Sequence, residues 1–195
     1  HREDGDPLAR SDAVRMLFTD GAQDMAAYSE SKPIASKPGS EFVYSSGDSM
    51  ILSDLMTRML TDRADAEGRR AAMDEFVRGR LIAPVGLSSL TPEYDARGTM
   101  IGGVMMHMTS RDYARFGEFL RLKGKMDGRQ ILSARWVDFM TTPSQRNRAY
   151  GGQIWLNREG SDNQLFPGRG PRGLFAAVGH HGQYVIVSRT QRLVI

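Results

Sequence analysis

One stretch of this chain leaves little conformational choice. Ile51, Leu52, Leu55, Met56, Met59 and Leu60 recur at the 1-4-5-8-9 spacing of a single helical stripe, the kind that faces a core. The spacing predicts a helix over residues 46–60, and Ser46 or Asp48 can cap its first turn. A second helix is expected from about Ala66 to Leu81, burying Ala72, Met73, Phe76 and Val77, and closed by Pro84-Val85-Gly86-Leu87. Ahead of both, residues 1–40 read as irregular with short helical pieces. Asp12 to Phe18 places Val14, Leu17 and Phe18 roughly on one face. Lys32-Pro33 and Lys37-Pro38-Gly39 then break any helix, because a residue before proline is biased away from the α region.

Further on, Thr109 and Asp112 have capping-box-like spacing, and the helix after them carries Tyr113, Phe116, Gly117 and Leu120 on one side. It stops near Gly124. Ser133 caps a short helix with Trp136, Val137 and Met140, closed by Pro143. The last quarter changes character. Gly152 to Leu156, Leu174 to Val178, Gln183 to Ser188 and Arg192 to Ile195 read as strands, with a Gly- and Pro-rich loop between residues 160 and 173. Helices first and strands last predict an α+β layout with an antiparallel sheet flanked by helices. The expected organisation is one partial domain over 1–195, mostly helical to about 145 and sheet-forming from about 146.

Composition removes several classes of function. With 195 residues and 40% hydrophobic content the chain has material for a core. Lys+Arg 26 against Asp+Glu 23 leaves a net charge of +3, which argues against a nucleic-acid partner. No apolar run approaches a membrane span. The absence of Cys excludes disulfides, thiolate metal sites and cysteine nucleophiles. No metal or cofactor is called for, and no compartment is fixed.

Three features carry candidate chemistry. The first is Pro38-Gly39-Ser40-Glu41-Phe42-Val43-Tyr44-Ser45-Ser46. Tyr44 and Ser46, two hydroxyls at i and i+2 before a capped helix, can face one cleft. A tyrosine serves as a general base only if neighbouring cations lower its pKa from about 10. The plainer reading is a core aromatic and a helix cap. The second is Ala177-Val178-Gly179-His180-His181-Gly182-Gln183, where glycines let a ligand approach the backbone and an N–H can meet a developing oxyanion. A simple hairpin turn fits the same residues. Adjacent histidines on a strand point to opposite faces, so a shared metal is not expected. The third, Ser29-Glu30-Ser31-Lys32, matches S-x-x-K literally, but Pro33 and the loop-like surroundings speak against the helical turn that pattern needs. The other lysines, Lys37, Lys123 and Lys125, sit beside proline or glycine. His107, in Met105-Met106-His107-Met108, lines a cleft or is packed near a helix start.

Taken together, Pro38 to Asp48 resembles the Tyr-x-Asn/Ser motif of serine β-lactamase-like hydrolases, which include class C β-lactamases, related esterases and 6-aminohexanoate-dimer hydrolases. His1-Arg2-Glu3-Asp4 and the Tyr-Ser-Ser form are most similar to the last group. Thr109-Ser110-Arg111-Asp112-Tyr113-Ala114-Arg115-Phe116-Gly117 resembles that family's helix after the substrate loop, and Gly179 to Gln183 its last active-site strand. The resemblance implies a β-lactamase/transpeptidase-like fold with a helical subdomain. It implies Tyr44 as general base and proton relay, with Ser46 passing the proton. It implies Gly179 as the glycine of a Lys-Thr-Gly-type strand, with the His180 N–H as half of the oxyanion hole. If His180-His181-Gly182 is the triplet instead, the donor moves to Gln183. His107 falls close to a substrate-pocket position.

Two departures follow. The family nucleophile is the Ser of an S-x-x-K helix far upstream of the Tyr motif, yet only 43 residues precede Tyr44. The chain also opens at His1 and stops inside an apolar run. The expectation is therefore an incomplete fold: the portion of a serine hydrolase acting on small amides or esters through an acyl-enzyme, inactive by itself. Its expected partners are the small substrate and either the missing N-terminal segment or another copy of the chain, with no nucleic acid and no membrane. The alternative is a non-catalytic binding or structural module of the same fold.

Overall fold

Short polar side chains set where the helices begin. In the computed structural model, which describes residues 11–160 and 165–195, the chain divides into two compact units. One is His1–Gly79 with Leu90–His107, and the other is Arg80–Ser89 with Met108–Ile195.

In the first unit, α1 (Asp12–Phe18) and α2 (Met25–Glu30) precede α3 (Ser46–Leu60) and α4 (Ala66–Val77). Asp24 caps α2 by accepting from Ala27 N at 2.9 Å, and Asp65 caps α4 by accepting from Gly68 N at 2.8 Å. That bond and the Arg63 guanidinium hold the Asp65 carboxyl down at about 2, the guanidinium contributing more. Met16, Met25, Met50 and Ile101 form the core cluster, with Leu17, Tyr28, Val104 and Met105 packed against it. A two-residue pairing, β1 (Thr91–Pro92) with β2 (Met106–His107), completes the unit.

The expected span of α3 is found, but the opposite face is buried. Met50, Ser53, Asp54 and Thr57 point inward, whereas Leu52, Leu55, Met56, Met59 and Leu60 are exposed and Ile51 is half-buried. The polar side has the partners. Ser53 Oγ donates to Met100 O at 2.6 Å, and Thr57 Oγ1 donates to Ser53 O. The buried Arg69 guanidinium bonds Asp54 at 2.5 Å, Thr99 Oγ1 at 2.9 Å and Arg97 O at 3.0 Å. Gly102 and Gly103 lie against the first turns, where a Cβ on Gly103 would stand 3.0 Å from Ser46 O. Capping differs too: Ser45 occupies the N-cap position, and its side chain makes no capping bond.

Two more boundaries are corrected. The helix expected to Leu81 ends at Val77 and passes into a π-turn, Arg78–Ile82, before the short α5 (Ala83–Val85). Ser29 sits in the helix α2 rather than in a loop, because proline punctuation begins only at Pro33. In α1, Met16 is the buried residue and Phe18 is exposed.

The second unit holds α5, α6 (Ser110–Arg121), the hairpin β3 (Lys125–Met126) with β4 (Arg129–Gln130), α7 (Ala134–Met140), and a sheet of β5 (Trp155–Leu156), β6 (Phe175–Gly179), β7 (Gln183–Ser188) and β8 (Leu193–Val194). The strands pair antiparallel in sequence order. Thr109 caps α6 through Asp112 N at 3.3 Å, and Ser133 caps α7 through Trp136 N at 3.2 Å. Gly117 lets α6 lie on the sheet, since a Cβ there would stand 2.5 Å from Val194 Cγ1 and 2.9 Å from Val185 Cγ1. Phe119, Leu120, Val137, Trp155, Phe175 and Val187 are buried. On α7, Trp136 stays exposed. The architecture is thus mixed, with helices and an antiparallel sheet.

Candidate functional site

The expected site residues fall into two groups, one in each unit. In the first unit, Tyr44 lies two residues before α3 and is 42% exposed, so it is not a core aromatic. Ser46 is the first residue of the helix and is buried beside Gly103 rather than serving as a cap. Between them Ser45 has extended backbone (φ −147°, ψ 126°). Its Oγ is buried with no hydrogen-bond partner among the described residues. An unmet buried hydroxyl costs about 1–3 kcal/mol, so it is retained only where something else holds it in place. Sequence reasoning passed over Ser45, since only the flanking hydroxyls of the Tyr-Ser-Ser triplet have the alternating register that points to one cleft. The three residues lie in one continuous run: an accessible phenol, an unpartnered hydroxyl and a hydroxyl on a helix start. Such a run can relay a proton if a cation and a reacting group are brought to it.

His107 ends the first unit in β2, opposite Thr91. It is not packed: its side chain is exposed and Nε2 stands 3.8 Å from Glu93 Oε1. Ser29 is tied down. Its Oγ is buried and donates to Met25 O at 2.8 Å, while Lys32 Nζ pairs with Asp12 at 2.9 Å and lies over the Tyr28 ring. A concavity of about 430 Å³ in this unit, lined by residues that include Ala66, Glu67, Arg70, Tyr94, Asp95 and Gly98, holds none of the expected residues. Burial raises the Tyr94 hydroxyl well above the usual phenol range, helped by its 2.6 Å bond to Asp74.

In the second unit the β6–β7 connection is a three-residue turn. Gly179 is the last residue of β6 and pairs with Gln183, the first of β7. His180, His181 and Gly182 make the turn, with His181 at φ 58° and Gly182 at φ 79°. This corrects the expectation that the histidines diverge. The strand has ended before them, and the left-handed backbone at His181 brings the two rings to 4.0 Å. Gln183 Nε2 donates to His180 O at 3.3 Å. Gly182 is required by its positive φ. Gly179 has no such φ and instead allows close approach, since a Cβ there would stand 3.1 Å from Gln183 Cβ. Among the described residues no group of three or more His, Asp or Glu side chains can hold a metal ion. No described helix is long and apolar enough to cross a membrane.

Behind this sheet, Asp112 fixes the start of α6. Its carboxyl accepts from Ser89 Oγ at 2.6 Å and Ser89 N at 2.8 Å, and those bonds hold it below the ordinary carboxylate range, the hydroxyl first.

Comparison with known proteins gives a coherent result. A family model described as beta-lactamase matches residues 2–195. No curated protein matches at a significant level. Among solved structures, a Bacillus anthracis protein described as a 6-aminohexanoate-dimer hydrolase is 21% identical with a TM-score of 0.66, over 86% of this chain and 40% of its own. A Bacteroides dorei protein described as a beta-lactamase is 16% identical with a TM-score of 0.59, over 84% of this chain and 51% of its own. At these identities the likeness shows the fold. The chain spans about half or less of the length of these two structures.

Proposed function

Because this chain belongs to the β-lactamase family, we propose that it is the portion of a serine hydrolase that relays protons and binds substrate during cleavage of small amide or ester bonds. The observation that carries the reading is the run Tyr44-Ser45-Ser46, where an exposed phenol and an unpartnered buried hydroxyl meet the start of α3. The nucleophilic serine and its lysine are supplied from outside these residues, since Ser29 is buried and bonded to Met25 O and Lys32 is engaged by Asp12. The serine oxygen attacks the substrate carbonyl, and its proton passes to the Tyr44 oxygen, whose pKa the incoming lysine lowers. Tyr44, with Ser46, returns that proton to the departing amine or alcohol as the C–N or C–O bond breaks. Water then attacks the acyl-enzyme and releases the acid.

The β6–β7 turn carries the residues assigned to the oxyanion. A backbone N–H at His180, directly after Gly179, stabilises the tetrahedral oxyanion. The preference for Gly179 over Gly182 as the strand glycine is supported by Gly182 being demanded by the turn itself. His107, His181 and Gln183 are assigned to substrate contact. The Tyr-Ser-Ser form and the likeness to the 6-aminohexanoate-dimer hydrolase favour a linear amide over a β-lactam. The 195-residue chain alone is inactive on this reading.

The test is Tyr44→Phe in the complete enzyme. A loss of about 10²–10⁴-fold in kcat is expected, with KM moving far less. A kcat within a few-fold of the parent overturns the role of Tyr44.

A further inference from the structure

The apolar stripe of α3 is the longest run of exposed large apolar side chains on one helix among the described residues. Leu52, Leu55, Met56, Met59 and Leu60 are exposed, Met59 at 78%. Single exposed apolar residues are ordinary, but five at i, i+3, i+4, i+7 and i+8 form one ladder along one helix. The helix cannot bury this ladder by turning over. Its other side is held by the Ser53–Met100 bond, the Asp54–Arg69 pair and the close approach of Gly102 and Gly103.

We infer that this ladder is the docking face for the part of the same β-lactamase-family protein that lies outside residues 1–195, and that an apolar segment of that part seats along it. The inference rests on the hydrolase reading above. Length supports this occupant: the two solved neighbours carry 60% and 49% of their chains beyond the portion matched here, taking 40% and 51% from 100%. Position supports it as well. Leu52 lies six residues after Ser46, about 9 Å along a helix rising ~1.5 Å per residue. A segment seated on the ladder therefore comes within two helical turns of Ser46, and the chain continuing from it runs toward the residues the hydrolase reading uses.

Two methionines on the ladder report its cover directly, because a thioether open to solvent is oxidised by dilute peroxide and a buried one is protected. The experiment compares the 195-residue chain with the protein from the complete reading frame. Oxidation of Met56 and Met59 is followed by mass spectrometry, with the fully buried Met50 and Met73 as internal references. The expected result is ready oxidation of Met56 and Met59 in the 195-residue chain and at least tenfold slower oxidation in the longer protein. Equal rates in the two samples overturn the inference. So does a reading frame that adds nothing to these residues. Protection in the 195-residue chain that grows with its concentration also overturns it, because a second copy is then the occupant. Labelling the longer protein with a serine-directed acylating probe separates the two readings. Protection without labelling leaves the docking face and removes the hydrolase reading, and labelling without protection does the reverse.

Discussion

Helices α3 and α6 have similar lengths and opposite relations to their surroundings. In α6 the buried apolar side chains are Phe119 and Leu120, with Gly117 admitting the valines of β7 and β8. Its apolar side meets an apolar sheet within the same unit. In α3 the inward side is Ser46, Gly47, Ser53, Asp54 and Thr57 around one methionine, and the apolar side is exposed. The difference teaches that an apolar stripe marks a contact surface without saying which contact. For α6 the partner lies within residues 108–195. For α3 the local neighbours are recruited by hydrogen bonds and an ion pair, which leaves the stripe for something else.

That contrast can be broken from either side. The largest effect is expected at Arg69, whose guanidinium is buried among Asp54, Thr99 Oγ1 and Arg97 O. Arg69→Ala leaves the buried Asp54 carboxylate with only the exposed Arg58 as its ion-pair partner among the described residues and should cost about 3 kcal/mol, read as a shifted urea midpoint of the first unit. A shift below about 1 kcal/mol would mean that the polar side of α3 is not what holds it. Next is Gly117→Val, which drives methyl groups into Val185 and Val194 and should cost about 1–3 kcal/mol. If the variant is as stable as the parent, α6 does not sit on the sheet as closely as described.

A smaller effect is expected from acid. The Asp112 carboxyl titrates below its ordinary 3.8 in the folded state because Ser89 bonds its charged form. Its contribution is therefore fully present above the unfolded value and is lost as pH falls through the folded one. Melting temperatures between pH 7 and pH 3 should show a drop in the parent that is shallower in Asp112→Asn. Parallel curves would remove Asp112 from the account. The smallest effect is expected on the stripe itself. Leu55→Lys should change the stability of the 195-residue chain by less than about 0.5 kcal/mol while lowering its binding of a hydrophobic dye. A large loss of stability would show that Leu55 is packed.

Much of this architecture was legible in the residues. The span of α3 follows from its spacing, the start of α6 from Thr109 and Asp112, and that of α7 from Ser133. Gln183–Ser188 reads as a strand from its aromatic and β-branched run after the Gly-His-His-Gly stretch. What was not legible depends on contacts distant in sequence. The rotation of α3 is set by Met100, Arg69 and Gly103, which no local period reports. The meeting of His180 and His181 depends on where β6 ends. At the candidate site, Tyr44 and Ser46 are apparent from their motif, whereas the buried, unpartnered Ser45 hydroxyl is visible only once the fold surrounds it. The opening His1-Arg2-Glu3-Asp4 similarity lies outside the described residues.

The central claim is that these residues relay protons for a nucleophile they do not contain. The most direct test is the intact mass of the 195-residue chain after treatment with a broad serine-hydrolase acylating probe. The account predicts an unchanged mass, with labelling only in the protein from the complete reading frame. An adduct on the 195-residue chain, mapped to any of its serines, would contradict it.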